Sequence, residues 1–244
     1  MTRAETLAWE APGPYCVAFS TRNGGVSEAE FRSLNLGALT RDDPERVLEN
    51  RARLCAAVSA DGSRASMAWQ HHSADVVRAE PLGILAPAQH ERCDGLWTDE
   101  PGLAMLVLTA DCLPIVLVRN DGDPPAAAVL HAGWRGLLGG IVAGGARALG
   151  GGALAAVVGP GIGPCCYEVG EEVAGPFRER FGDEVVSDGK LDLWASAERA
   201  LRAAGVGEVE RFDRCTSCEP DTFFSHRRDH GRTGRQGVIA YVSG

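Results

Sequence analysis

Lysine is almost missing from this chain: Lys190 is the only one among 244 residues, so its basic side chains are otherwise arginines. That excludes a Gly-x-x-x-x-Gly-Lys-Ser/Thr phosphate loop and leaves little basis for Schiff-base chemistry. Positive charge is scarce altogether, with 24 Lys plus Arg against 33 Asp plus Glu and a net charge of −9. Such an acidic chain is a poor match for a dedicated nucleic-acid or membrane-surface binder, and neither partner is expected. Long hydrophobic runs are lacking too. The least charged stretch, Leu137 to Gly163, is interrupted by Arg147 and contains ten glycines and a proline, too many breaks for a membrane helix. Residues 1–10 lack the apolar core of a secretory signal, so a cytoplasmic location is expected. No Gly-x-Gly-x-x-Gly follows a strand candidate, which removes the dinucleotide fingerprint. Without repeats, low-complexity tracts or charged linkers, residues 1–244 read as one domain.

What is present is an ordinary soluble composition, 45% hydrophobic and 23% charged. Tyr15–Ser20 is a strand candidate, followed by the turn-like Arg22-Asn23-Gly24-Gly25. Asp43-Pro44 has the form of an N-cap with proline at the first helical position, and Val47, Leu48, Leu54, Cys55 and Val58 continue at helical spacing. Short apolar runs at Leu103–Leu108, Pro114–Val118, Ala126–Leu130 and Leu154–Val158 predict buried central strands. Helices are expected over Leu137–Leu149, over Val169–Phe181 and from Asp192 to about Gly205, with closing strands at Val209–Phe212 and Gly237–Val242. The irregular mixing of the two element types favours an α+β fold over a doubly wound sheet.

In a reducing compartment, eight cysteines point to buried thiols, metal ligands or nucleophiles rather than disulfides. Thr109-Ala110-Asp111-Cys112 forms a polar corner between two apolar runs, a place where a scaffold presents reactive groups. Cys112 can equally be a small buried hydrophobe. His131, at the end of another apolar run and before Gly133-Trp134-Arg135-Gly136, is a neighbour of that corner if the two runs form a hairpin, or else a turn cap. A Cys/His pair suits a metal site or a nucleophile with its base. His71-His72 supplies a further imidazole; on an extended segment the two rings face opposite sides, so only one can enter a given site. Two His and one Cys make a three-ligand zinc set with an open position. A rival cluster, Cys215 and Cys218 with His226 and His230, has only seven residues between Cys218 and His226, shorter than the ~12–15 of a zinc-finger spacing.

An ordered set of motifs carries a resemblance. It comprises Ser20-Thr21-Arg22-Asn23-Gly24-Gly25-Val26-Ser27, Leu34-Asn35-Leu36-Gly37, Gln70-His71-His72, Asp94-Gly95, Thr109-Ala110-Asp111-Cys112 and His131-Ala132-Gly133-Trp134-Arg135-Gly136. Gly159-Pro160-Gly161-Ile162-Gly163 with Cys166-Tyr167-Glu168-Val169, and Gly234-Arg235-Gln236, complete it. From about Ser20 onward the chain resembles the multicopper polyphenol oxidase, or laccase-domain, proteins, now regarded as purine nucleoside phosphorylases. The resemblance implies a β-sandwich of mixed sheets flanked by helices, similar to the deamidase domain of cytotoxic necrotising factor. It implies zinc held by His72, Cys112 and His131, phosphorolysis of adenosine, inosine and methylthioadenosine, and hydrolytic deamination of adenosine. His71 stands where the family has valine, and His226 where it tends to have an aromatic residue.

Within that expectation Cys112, His131 and Asp111 are the catalytic candidates, Asp111 either moving a proton or orienting a ligand. Arg22, Arg135 and Arg235 are the candidates for binding phosphate, the first and last in glycine-flanked loops. Asn35 and Gln70 join them as substrate-binding candidates. Purine nucleoside and phosphate are the expected partners of a monomeric protein. Six histidines are too few for the mononuclear and trinuclear centres of a four-copper oxidase, although a His/Cys site would bind copper if loaded with it. Two other classes remain: a Cys/His hydrolase acting on an amide, such as a peptidoglycan-precursor editing factor, and a non-catalytic binder with a structural metal.

Overall fold

The computed structural model of the protein describes residues 3–85, 92–120 and 124–244. In chain order its strands are β1 (Thr6–Ala8), β2 (Tyr15–Ser20), β3 (Ser66–Met67), β4 (Val76–Arg78), β5 (Gly95–Thr98), β6 (Met105–Thr109) and β7 (Leu113–Arg119). There follow β8 (Ala127–Ala132), β9 (Leu154–Val158), β10 (Val186–Ser187), β11 (Lys190–Leu191), β12 (Glu208–Arg211) and β13 (Gln236–Val242). The helices are α1 (Pro44–Ala57), α2 (Trp134–Gly139), α3 (Ile141–Ala148), α4 (Glu171–Phe181) and α5 (Leu193–Ala203).

Two mixed sheets form. One has the order β1-β2-β13-β6-β3, the other β12-β9-β7-β8-β5-β4, and β10 and β11 make a separate small ribbon. Strand pairing is antiparallel apart from β3 with β6, β4 with β5 and β12 with β9, which are parallel.

The period of two along each strand distributes side chains among three apolar layers. Val116 and Val118 of β7 and Val157 of β9 meet Val17, Phe19, Val107 and Val238 of the other sheet, filling the space between the sheets. Ile115 and Leu117, their neighbours on β7, turn the other way and pack under Leu137, Ile141, Phe177, Trp194 and Leu201 of the helices. On the far side Ala18, Leu106 and Ile239 receive Leu54 and Cys55 of α1. The result is helix, sheet, sheet, helices: the expected α+β sandwich. It also explains the unbroken apolar runs of β7, β8 and β9, which are buried on both faces.

The helix expected over Leu137–Leu149 is two helices. Gly140 adopts φ +88°, a left-handed conformation that closes α2 and opens α3. Asp43 caps α1 through its side chain, accepting from the Glu45 N–H, and Asp192 does the same for α5 through Ala195. The apolar run at Ala126–Leu130 extends further than its hydrophobicity shows, because β8 carries His131 inside the strand.

Candidate active site

β7 and β8 pair as a hairpin, with Pro114 opposite His131 and Leu113 opposite Ala132. This register brings Cys112, just before β7, against Gly133, just after β8. A Cβ built on Gly133 would lie 2.9 Å from the Cys112 sulfur and 3.4 Å from Cδ2 of His72. Only glycine leaves room there for the thiol and the second imidazole. Asp111 turns the corner into Cys112 with φ +88°, in the left-handed region that few side chains tolerate.

His72 arrives from the loop between β3 and β4, itself at φ +64°. This loop is not the extended segment expected around it. It wraps around the buried carboxylate of Asp94, which accepts the backbone N–H groups of His71 (3.1 Å), His72 (3.0 Å) and Ser73 (2.6 Å) and the Ser73 hydroxyl (2.9 Å). Asp94 also accepts Nδ1–H of His131 at 2.7 Å. A carboxylate can only accept, so the hydrogen bond fixes the tautomer of His131 and leaves Nε2 to face Cys112.

Ligand atoms of His72, Cys112 and His131 therefore converge within 4.8 Å of one another. The two imidazoles meet edge to face, with ring centroids 5.0 Å apart. Burial pushes the Cys112 thiol up, but His131 and His72 outweigh it and bring its pKa down to about 6. Burial lowers His131, while the Cys112 sulfur and Asp94 raise it to about 9. Asp94 pays desolvation as well, yet His131 and the loop amides hold it well below the usual carboxylate range. A thiolate, two imidazoles and a carboxylate orienting one of them fit a divalent soft-borderline metal such as zinc.

The other candidate residues are placed as follows. Asp111 has both oxygens engaged: Thr216 Oγ1 donates at 2.6 Å and the Arg227 N–H at 2.7 Å. Burial lowers the Arg235 guanidinium, with Cys112 and Asp111 close enough to oppose that lowering in part, and the guanidinium donates to the carbonyls of Thr233 and Gly234. Arg135 stacks on the Trp134 indole at 4.2 Å, and Arg227 covers the Tyr167 ring at 5.2 Å. Burial and the neighbouring Cys112 and Asp111 charges push the Tyr167 phenol up to about 12. Arg22 lies apart from this group: it donates to the carbonyls of Arg32 and Pro220 and covers the Phe224 ring. Asn35 receives the Arg235 N–H and bonds Thr40 and Asp42, and both ends of the Gln70 amide pair with the Leu108 backbone.

His71 stays outside the cluster, its Nδ1 3.4 Å from Asp94. The rival cluster forms differently from its spacing. Cys215 and Cys218 gather with Cys165 and Cys166, without His226 or His230. In the sequence Asp94 stands out only within the Asp94-Gly95 motif and with no role of its own, while the structure puts its carboxylate on His131. The signal the sequence holds is an acidic residue between Cys93 and the apolar Leu96-Trp97 stretch, a place where a charge, if buried, needs partners.

A family model described as multi-copper polyphenol oxidoreductase laccase matches residues 16–243. Purine nucleoside phosphorylase PA4543 of Pseudomonas aeruginosa is 40% identical over 248 residues, covering 97% of this chain and 97% of that protein. Purine nucleoside phosphorylase YfiH of Escherichia coli is 37% identical over 254 residues, covering 99% of this chain and all of the other (100%). Among solved structures, YlmD from Geobacillus stearothermophilus superposes with a TM-score of 0.89 at 32% identity, covering 100% of this chain and 99% of that one. Neisseria meningitidis protein NMB0706 gives a TM-score of 0.87 at 36% identity, covering 98% and 99%.

Proposed function

This chain belongs to the multi-copper polyphenol oxidoreductase laccase family, and we propose that it is a zinc-dependent purine nucleoside phosphorylase. The observation that carries the reading is the His72–Cys112–His131 set, oriented by Asp94 and neighboured by arginines, in a chain whose relatives are named for that activity. Three protein donors leave a tetrahedral ion one open position, as in catalytic rather than structural sites. Oxidase chemistry on four coppers needs more ligands than the described residues gather, where the potential metal sets are this one and a group of four cysteines.

In phosphorolysis a phosphate oxygen bonds to the anomeric carbon of the sugar as the bond to the purine nitrogen breaks, giving the sugar 1-phosphate (ribose 1-phosphate from adenosine or inosine) and the protonated base. Arg235 and Arg135, with Arg22 further out, are the cations proposed to hold phosphate, because planar guanidinium forks match its oxygens. Asn35 acts by fixing the Arg235 backbone, and Gln70 by tying the His72 loop to β6. Adenosine, inosine and methylthioadenosine are the proposed substrates. A zinc ion held by His72, Cys112 and His131 would supply a Lewis acid able to activate water near neutral pH, which extends the proposal to adenosine deamination. Asp111 serves as a positioning group, since Thr216 and Arg227 occupy both its oxygens. The test is to incubate metal-defined protein with inosine, with and without phosphate. Hypoxanthine and ribose 1-phosphate should form only with phosphate; equal base release without it overturns the phosphorylase reading.

One observation favours a second reading. Asp94, His131 and Cys112 line up as carboxylate, imidazole and depressed-pKa thiol, the order of a cysteine hydrolase triad. Amide cleavage that survives complete metal removal would establish it.

A further inference from the structure

Two turns leave the carboxyl ends of the adjacent parallel strands β9 and β12. The first carries Cys165 and Cys166, the second Cys215 and Cys218. Their four sulfurs all lie within 4.8 Å of one another. Cys218 Sγ is 3.4 Å from Cys165 Sγ and 3.3 Å from Cys166 Sγ. We propose that these four cysteines bind one zinc ion, a structural site distinct from the His72–Cys112–His131 set.

The spacing fits a single ion. Zinc–sulfur bonds of ~2.3 Å in a tetrahedron set sulfur–sulfur edges of about 3.8 Å; the two Cys218 separations, 3.3 and 3.4 Å, fall a few tenths of an ångström short of that edge and all four sulfurs lie within 4.8 Å, so small outward shifts seat one ion. A cluster of several irons needs a wider cage of cysteines than these sulfurs form. The backbone is already arranged for ligation. Gly161 accepts the Thr216 N–H at 3.0 Å and donates to the Arg214 carbonyl at 3.2 Å, locking the two turns side by side. The Gly163 N–H donates to Cys215 Sγ at 3.3 Å, a bond that favours a thiolate there. Cys218 folds back with its N–H on the Cys215 carbonyl at 3.1 Å, so the Cys-x-x-Cys pair shares one tight turn. Four thiolates on a divalent ion leave excess negative charge, and Lys190, the chain's single lysine, donates to the Cys165 carbonyl at 3.1 Å. Cys165 and Cys218 are exposed, and two free thiols so close at a surface would otherwise be open to oxidation.

The ion's place also gives it a consequence. Thr216, inside the second turn, donates to Asp111 at 2.6 Å, and Tyr167 directly follows Cys166. Zinc here would clamp the two turns that support the corner holding Cys112. It acts on the active site by positioning, with no contact to substrate.

Elemental analysis of protein purified under reducing conditions tests this. Two zinc ions per chain are expected in the parent protein, one in Cys112→Ala, and one in Cys165→Ser/Cys218→Ser. With cobalt in place of zinc, Cys112→Ala should still show the intense thiolate-to-cobalt charge-transfer band of a four-thiolate tetrahedron. That readout keeps the test alive if the double variant does not fold. Unchanged zinc in the double variant overturns the site, and so does a cobalt Cys112→Ala protein without the band. A disulfide from Cys218 to Cys165 or Cys166 in the reduced, freshly purified protein would overturn it equally.

Discussion

Asp94 and His131 are joined by a 2.7 Å hydrogen bond between two buried groups, 37 residues apart in the chain. The same carboxylate gathers the amides of His71, His72 and Ser73, so one side chain both aims His131 and delivers His72. Asp94→Asn replaces an acceptor with an amide whose NH2 must face those N–H donors. The expected cost is about 2–5 kcal/mol of stability, with metal affinity reduced about 10–100-fold. Chemical denaturation and zinc titration against a competing chelator measure both, and an unchanged zinc affinity would refute the orienting role.

His72→Ala should abolish retention at the His72–Cys112–His131 site and nearly all phosphorolysis, because two donors are left. His71→Val should keep both, since a partly exposed ring 3.4 Å from Asp94 is worth roughly 0–1 kcal/mol. Metal content and initial rates of the two variants decide; the reverse pattern would show that the other histidine is the ligand.

Gly133→Ala should weaken metal binding while leaving the fold intact. The backbone at Gly133 is extended, with φ −79°, so alanine is tolerated conformationally, but its Cβ falls 2.9 Å from the Cys112 sulfur. The sulfur must move, and the donor set opens with it. Circular dichroism together with zinc stoichiometry separates this outcome from simple unfolding.

In metal-stripped protein, Cys112 alkylation by iodoacetamide should be half-maximal near pH 6, because only the thiolate reacts. Burial opposes ionisation, and the His131 and His72 rings overcome it. The folded value lies below that of an unfolded thiol, so the thiolate's contribution to stability is lost as pH falls through about 6. Mass-mapped labelling with a midpoint near ~8.5, the value of an ordinary thiol, would contradict the assignment.

Arg235→Met should raise the KM for phosphate about tenfold or more, with a smaller effect on the KM for nucleoside, since a half-buried guanidinium near Cys112 and Asp111 is removed. Arg22→Met should affect phosphate less, because its N–H groups are committed to the Arg32 and Pro220 carbonyls. Steady-state kinetics with each substrate varied in turn tests the ranking.

The sequence made the doubly buried strands readable because β7, β8 and β9 carry unbroken apolar runs, and it placed Cys112 and His131 at the ends of such runs. Short edge strands were not readable: β3 and β4 span two and three residues, too few for any periodicity. The four-cysteine group escaped because its two halves are brought together only by the parallel pairing of β9 with β12, while nearby His226 and His230 offered a more familiar spacing. Gln70 and Asn35 are substrate-binding candidates by type, and what the structure adds is that the Gln70 amide pairs with the Leu108 backbone and the Asn35 oxygen accepts the Arg235 N–H, bonds that no local sequence pattern announces.

The latest strand in chain order is not at an edge. β13 lies between β2 and β6 and bonds to both, so β2, paired with β1 on one side, waits for its other neighbour from more than 200 residues further along. Every strand of the six-stranded sheet, by contrast, comes from residues 76–211. On a ribosome that sheet and its helices can close first, leaving the inner faces of β2 and β6 exposed until β13 is released. Arg235 immediately precedes β13, so the step that seals the sandwich is also the one that seats this arginine beside Cys112. A nascent chain is thereby kept from reaching a complete site before its fold is finished.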